Sequence, residues 1–340
     1  MRVMQIMAGG AHGGAEAFFE RLTLALHRSG IAQRAIIRSN RARAHRLSHE
    51  GVPVTQLPFG GPPDFFTPYR IGREIKRWQP DVVLAWMSRA AIKTPRSRAV
   101  LVGRLGGYYD LKYYKRCDHL IGNTQDIVDY IRKQGWPAER AHYLPNFVSS
   151  KRMDPLPRAE FDTPPHAPLL VTLGRLHTNK AFDVLIDAMA EVPGAYLWIA
   201  GSGGEETALK QRVATLKLEA RIKFLGWRDD MEAVLAAADI FVCPSRHEPL
   251  GNVVIEAFAQ GLPVIAAASQ GPKALIVDGT NGLLTPVDDA KALAAAINRV
   301  IGDETLRDAL AREGFATYQR QFTEAAVVAN YRAFFEKVKR

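Results

Sequence analysis

Cysteine is almost missing: Cys117 and Cys243 are the only two in 340 residues. A disulfide framework or a thiolate metal cluster needs more thiols than that, so neither organises this chain. No stretch reaches the ~18 uncharged residues of a membrane-spanning helix, and there is no low-complexity tract. The opening MRVMQIMAGG runs straight into a strand-like apolar segment and then glycines, without the charged, apolar and small-residue zones of a secretory signal. A cytoplasmic protein is expected. A regular G-x-G-x-x-G is also lacking: AGGAHGGAE has the wrong spacing, and no convincing ribose-binding acid follows the second strand, which argues against a nicotinamide dehydrogenase.

What is present is an ordinary globular balance, 47% hydrophobic and 24% charged, in a chain longer than one usual domain. Two domains are the first expectation. The net charge of +10 is unevenly placed. Residues 1–160 carry 26 Lys and Arg against 13 Asp and Glu, a net of +13, whereas the remainder carries 19 against 22, a net of −3. The first half should therefore meet something anionic: nucleic acid, phospholipid headgroups or a phosphorylated substrate.

Short apolar runs alternate with amphipathic helical stretches, the pattern of parallel sheets covered by helices. In the first half strands are expected over 3–8, 34–37, 82–85, 100–102 and 120–121, with helices over 16–28, 68–78 and 125–133. The proline-rich stretch 151–168 reads as a linker. A second series follows, with strands over 169–173, 195–200, 222–225, 240–243 and 264–266 and five intervening helices. The expected architecture is α/β: two doubly wound, Rossmann-like domains whose strand C-termini face a common cleft. Domains are expected at 1–155 and 156–318, with an amphipathic helix in 319–340 packing back on the first.

The most informative stretch is SRHEPLGNVVIEAFAQGLPVIA, residues 245–266. Glu248 stands just before a helix and Glu256 within it, at most ~12 Å apart along a helical rise. Between them the backbone N–H groups of Leu250, Gly251 and Asn252 open the helix and attract anions. Carboxylate, amides, carboxylate suits a ligand ordered hydroxyl, anion, hydroxyl, as in a sugar joined through a diphosphate to a ribose. Spacing alone is no proof, because two glutamates at some fixed distance are common. Upstream, the strand over 169–173 ends at Gly174 and is followed by Arg175 and Lys180, cations suited to a diphosphate leaving group. A further glycine turn at Gly201, in WIAGSGGEE, ends another strand.

Taken together, GRL, K.FDVLIDA, IAGSGGE, KFLGW, FVCPSRHEPLGNVVIEAFAQGLPVIA and DGTNGLLTPVDDA resemble the retaining glycosyltransferases of family 4. The match runs from about 169 to 290, and GGAHGGAEAF resembles the family's first glycine loop. The resemblance implies the GT-B fold and sugar transfer from a nucleotide-diphosphate sugar to an acceptor hydroxyl with retained anomeric configuration. By the same resemblance Glu248 contacts the donor sugar and Glu256 the ribose. Arg175 and Lys180 clamp the diphosphate, and Gly13 and Gly14 form the loop near phosphate and acceptor. Such enzymes usually need no metal, and no Asp-x-Asp stands at a strand end here, so no cofactor is expected. Many relatives carry a histidine after a strand of the first domain. Here AVLVGRLGGYYDLKYYKRCDHLIGNT offers Arg104 and Gly106-Gly107 in that neighbourhood, and the histidine is left unassigned, with His12 and His119 as alternatives.

The resemblance places the acceptor on the first, basic domain. Its cations cluster as Arg38, Arg41, Arg43 and Arg46 in one expected loop, as Arg70, Arg73, Lys76 and Arg77 on one helix, and as Arg89, Lys93, Arg96 and Arg98 beyond. Tyr108, Tyr109, Tyr113 and Tyr114 lie among Lys112, Lys115 and Arg116. Arg104, Tyr108 and Tyr109 are the acceptor-side candidates. The expected acceptor is lipid-linked or lipopolysaccharide-like, met at the inner face of a membrane by a peripheral enzyme drawn to anionic lipid. Two rivals are a nucleotide-sugar epimerase of the same fold and a basic nucleic-acid-binding protein. The second leaves the glutamate pair without purpose, so nucleic acid is not expected as a partner.

Overall fold

The computed structural model describes every residue except His12, Pro62 and Ser150. It divides the chain into two units, Met1–Asn146 with Glu324–Arg340, and Phe147–Thr323.

In chain order the first unit holds β1 (Arg2–Met7), α1 (Gly14–Arg28), β2 (Ala32–Arg38), α2 (Arg41–His49), β3 (Val54–Leu57), α3 (Phe66–Trp78), β4 (Val82–Trp86), α4 (Met87–Lys93), β5 (Val100–Leu105), β6 (His119–Gly122), α5 (Gln125–Lys133) and β7 (Ala141–Tyr143). Its strands form one sheet in the order β3-β2-β1-β4-β5-β6-β7, parallel throughout. The central strands are buried along their whole length rather than alternating, β4 (VVLAW) and β5 (VLVGRL) alike, with Arg104 the one charged residue in these two strands.

The second unit holds β8 (Leu169–Leu173), α6 (Phe182–Ala190), β9 (Tyr196–Ala200), α7 (Glu206–Thr215), β10 (Ile222–Gly226), α8 (Met231–Ala236), β11 (Ile240–Cys243), α9 (Asn252–Gln260), β12 (Val264–Ala267), α10 (Gln270–Leu275), β13 (Leu283–Thr285), α11 (Ala290–Gly302) and α12 (Glu304–Gln321). Its sheet is again parallel, ordered β10-β9-β8-β11-β12-β13. The order reverses beside β8, between β9 and β11, and a doubly wound sheet receives ligands at such a reversal, outside the strand C-termini.

Several elements have no signature in the sequence. The α2 segment RARAHRLSH suggests a loop because it buries only Arg43 and Leu47 and so has no apolar stripe. It is a helix capped by Asn40, whose side chain accepts the Arg43 N–H at 2.9 Å. The edge strands β3, β7 and β13 are three or four residues long, too short to show a period. The division at 146/147 falls ahead of the expected 155/156. Val148 and Leu156 belong to the second unit's core, and Leu156 donates to the Ala233 carbonyl at 3.0 Å, so the proline-rich run is packed against that unit.

The chain closes with α13 (Glu324–Val338), a helix of the first unit. Val327, Tyr331 and Phe335 are fully buried, and Arg28 holds Glu324 at 2.7 Å. Phe334 packs on a pair of histidines, with ring centroids 4.7 Å from His142 and 6.2 Å from His119. The two imidazoles stand 3.1 Å apart. Burial first, and then the neighbouring His119, push the His142 imidazole down to about 4. Above pH 6.5 this histidine is neutral in both folded and unfolded chains. As pH falls towards 4 the unfolded chain gains a proton that the folded one refuses, so stability is lost across that window. Urea unfolding at pH 7.5 and pH 5 is expected to show a lower midpoint at the acid value, with the difference reduced in His142→Gln. An equal difference in both proteins would place the acid sensitivity elsewhere.

Candidate active site

The candidate site of the second unit gathers at the ends of β8, β9 and β11. After β8 the chain passes Gly174 and exposed Arg175 and turns through Thr178–Lys180 into α6. After β11 it passes Ser245 and Arg246 to Glu248 and then α9. Adjacent pairing of β8 and β11 brings these loops together. His247 donates its N–H to the Asn179 carbonyl at 3.1 Å. Arg246 donates to the Thr178 carbonyl at 2.8 Å and to Asp183 at 2.9 Å, and also pairs with Asp288. Burial opposes ionisation of Asp183, but the hydrogen bonds and charge of Arg246 hold its carboxyl below the usual range, so the brace stays charged. Arg246 escaped sequence reasoning because its three partners are distant in the chain.

The brace fixes a lysine against a glutamate. Lys180 Nζ donates to Glu248 Oε2 in a close ion pair, with Glu248 only 8% exposed. The other oxygen, Oε1, lies 3.4 Å from the Gly251 N–H, and the Glu248 carbonyl accepts the Gly271 N–H at 2.7 Å. Gly251 enters α9 with φ +69, which favours glycine, and a Cβ there would lie 2.7 Å from Leu275 Cδ1. The residue expected to meet the sugar and one expected to meet the diphosphate thus neutralise each other, and Glu248 also occupies an amide expected to hold phosphate. Beneath them, burial and then the Glu248 charge push the Cys243 thiol up to about 11, leaving it a neutral filler.

Leu250 and Asn252 flank Gly251 at the start of α9, and Glu256 stands half-buried in its second turn. Gly174 and Gly201, expected to permit close backbone approach, approach each other: a Cβ on Gly201 would lie 1.8 Å from the Gly174 carbonyl oxygen. The Gly174 N–H donates to Ala200 at 3.0 Å and the Gly201 N–H to Gly226 at 2.8 Å, so neither amide is available to a phosphate. These glycines permit backbone contact between the β8 and β9 loops.

In the first unit Gly13 and Gly14 lead into α1, and the loop folds around Glu16. Its Oε1 accepts the Gly10 N–H at 2.8 Å, and a Cβ on Gly13 would lie 2.3 Å from Oε2. Arg43, expected in a basic surface loop, is 1% exposed and braces this turn through the carbonyls of Gly10 and Ala11, both at 3.1 Å, and through Glu20 at 2.9 Å. Arg104 is likewise withdrawn from the acceptor side. It is 2% exposed, donates to Tyr331 Oη at 2.9 Å and to Asn146 Oδ1 at 2.5 Å, and lies over the rings of Trp86 and Phe18. Its cation fastens α13 to the sheet. Tyr108 is 41% exposed and hydrogen-bonded to Asp126; the covering of the rest of its ring, and then that carboxylate, push its phenol up to about 12. Tyr109 is half-buried beside it, whereas Tyr114 is core. His119 pairs with His142 at α13, and His12 lies outside the described residues.

Residues 156–317 match the family model for glycosyl transferases group 1, and residues 12–152 match that for glycosyltransferase family 4. The chain is 38% identical over 327 residues to the lipopolysaccharide core biosynthesis glycosyltransferase LpsE of Rhizobium meliloti (strain 1021), covering 95% of each. The chain belongs to the family 4 glycosyltransferases. Its similarity to LpsD of the same organism, 36% over 341 residues, spans 99% of this chain and 98% of that one. In fold, this glycosyltransferase superposes on Anabaena Alr3699/HepE in complex with UDP with a TM-score of 0.87 at 23% identity, over 99% and 100% of the two chains. The lipopolysaccharide outer core galactosyltransferase WaaB gives 0.77 at 19% identity, over 99% and 100%. The two Rossmann-like units are those of a GT-B glycosyltransferase. Neither the epimerase nor the nucleic-acid reading finds support among these relatives.

Proposed function

We propose that this glycosyltransferase moves a sugar from a nucleoside-diphosphate sugar to a hydroxyl of a lipid-linked or lipopolysaccharide-like acceptor, with retention of anomeric configuration and without a metal, as a peripheral protein at the inner face of a membrane. The observation that carries the donor half of this reading is the Lys180–Glu248 pair beside the start of α9, at the chain reversal of the second unit's sheet. An incoming diphosphate competes with Glu248 for Lys180, and Arg175, exposed at the same strand end, adds a second cation. Once Lys180 turns to phosphate, the Glu248 carboxylate is released towards the sugar hydroxyls. Growing charge on the departing diphosphate then meets fixed cations, which lowers the barrier to leaving. Glu256, one turn along α9, takes the ribose hydroxyls. The net +13 of residues 1–160 suits an anionic acceptor, and the names of LpsE and LpsD support a lipopolysaccharide core as that acceptor.

The test incubates the protein with lipopolysaccharide lacking outer core sugars and a panel of nucleoside-diphosphate sugars, and reads the product anomer by NMR. Transfer from one donor, with the donor's anomeric configuration kept, is expected. Inversion, or donor turnover with no sugar on any hydroxyl, would overturn the proposal. In the same assay Glu256→Ala should weaken donor binding by roughly 10-fold to 100-fold, the worth of hydrogen bonds to a charged group, with little change in saturated turnover.

A further inference from the structure

The outward face of α3 carries side chains that neither the core nor the candidate site uses. Thr67, Ile71, Glu74 and Ile75 turn inwards. The other side presents Phe66, Tyr69, Arg70, Arg73, Lys76 and Arg77, a stripe at helical spacing with the rings in the first turn and the cations after them. Phe65, just ahead of the helix, is 81% exposed, with Phe66 at 53% and Tyr69 at 66%. The Arg70 guanidinium lies 5.7 Å above the Phe66 ring. The stripe carries no acid. Glu74 is turned in and held by Arg34 at 3.3 Å, and Asp64 is held by Lys93 at 3.5 Å and by backbone N–H groups.

The cationic end of the stripe continues into a cavity of about 650 Å³ whose rim carries Lys76, Arg96, Arg98 and Arg340. Its one acid, Asp81, accepts the Arg2 N–H at 2.7 Å. The aromatic end lies near the C-terminal edge of the first unit's sheet, because α3 runs back antiparallel to β3 and β4; that is the edge at which a doubly wound sheet receives ligands.

We infer that the outer face of α3, with Phe65 and the basic cavity at its end, is the surface by which this protein lies on an anionic lipid leaflet. The Phe65 and Phe66 rings, which have no hydrogen-bonding tip, leave water for the headgroup and acyl boundary, Tyr69 lies beside them with its hydroxyl at the interface, and Arg73, Lys76 and Arg77 meet lipid phosphates. The cavity is large enough for a phosphorylated headgroup. The surface favours lipid over nucleic acid because its rings are grouped at one end of a convex helix rather than interleaved with cations along a groove. Docked this way, the first unit's ligand edge lies close to the bilayer, within reach of an acceptor carried on lipid. The inference deepens the membrane part of the proposed function and leaves the donor chemistry untouched.

Co-sedimentation with vesicles of phosphatidylcholine alone, and with about a third phosphatidylglycerol, tests it. Binding to the anionic vesicles only, weakened by salt, is expected. Arg73→Gln, Lys76→Gln and Arg77→Gln should lower partitioning about fivefold per cation removed, and the Phe65→Ser, Phe66→Ser pair should lower it at unchanged salt dependence. All these positions are exposed, and stabilisation by nucleoside diphosphates should be unaltered in every variant, which separates loss of docking from loss of the donor site. Equal binding to both vesicles, or wild-type binding by both sets of variants, would overturn the inference. So would concentration-dependent dimers that vanish in the phenylalanine variant, which would assign the face to a second copy of the chain.

Discussion

Lys180→Ala is expected to lower saturated turnover by ~10²–10³-fold, the usual effect of removing one fixed donor from developing charge. The same substitution should also weaken the ligand-free fold, for a reason unconnected with catalysis. Glu248 is 8% exposed and Lys180 is its cation. Alanine leaves that carboxylate short of a partner, at a cost of roughly 1–3 kcal/mol. The two effects separate in the double variant Lys180→Met, Glu248→Gln, which exchanges the charged pair for neutral groups of similar size. Its melting temperature should recover towards the parent while turnover stays low. Steady-state kinetics and thermal melts of the single and double variants check this. Recovery of turnover along with stability would mean that the pair is merely structural.

Gly201→Ala is the substitution expected to cost the most stability. A Cβ at Gly201 would stand 1.8 Å from the Gly174 carbonyl oxygen, and the backbone there has φ +145. Two chain segments would have to part, and alanine would be strained even if they did, so a loss of roughly 3 kcal/mol or more is expected. Gly174 adjoins Arg175 and leads to Lys180, so donor-induced stabilisation should fall as well. Gly204, three residues on, has open space where a methyl group would stand, with no atom within 4 Å, and serves as the control. Gly204→Ala should leave the melt almost unchanged. Similar melting curves for the two variants would refute the close-contact account.

The gathering of the candidate residues at two neighbouring strand ends was legible in the sequence. The glycines, cations and glutamates that end β8 and β11 are consecutive or nearly so, and parallel α/β sheets place strand ends on one edge. The basic half was legible as a total but not as a surface. Arg43 and Arg104 contribute to the net +13, yet one braces a glycine turn and the other is sealed between Trp86, Phe18 and Tyr331. The local sequence of Arg43 does not differ in kind from those of Arg73 and Arg77, which are exposed. Likewise RARAHRLSH has no apolar period, and only its cap and its contact with Glu20 reveal why it is helical.

Strand and helix alternation, the glycine stops and the E-x7-E spacing are properties of neighbouring residues, and they were enough to point to a doubly wound α/β chain resembling family 4, with its candidate residues at the ends of β8 and β11. Which charges remain available was decided by tertiary structure alone. Lys180 meets Glu248 across 68 residues, and Arg104 meets Tyr331 across 227. Pairing and desolvation depend on what the rest of the chain brings to a side chain, and no short window of sequence contains that.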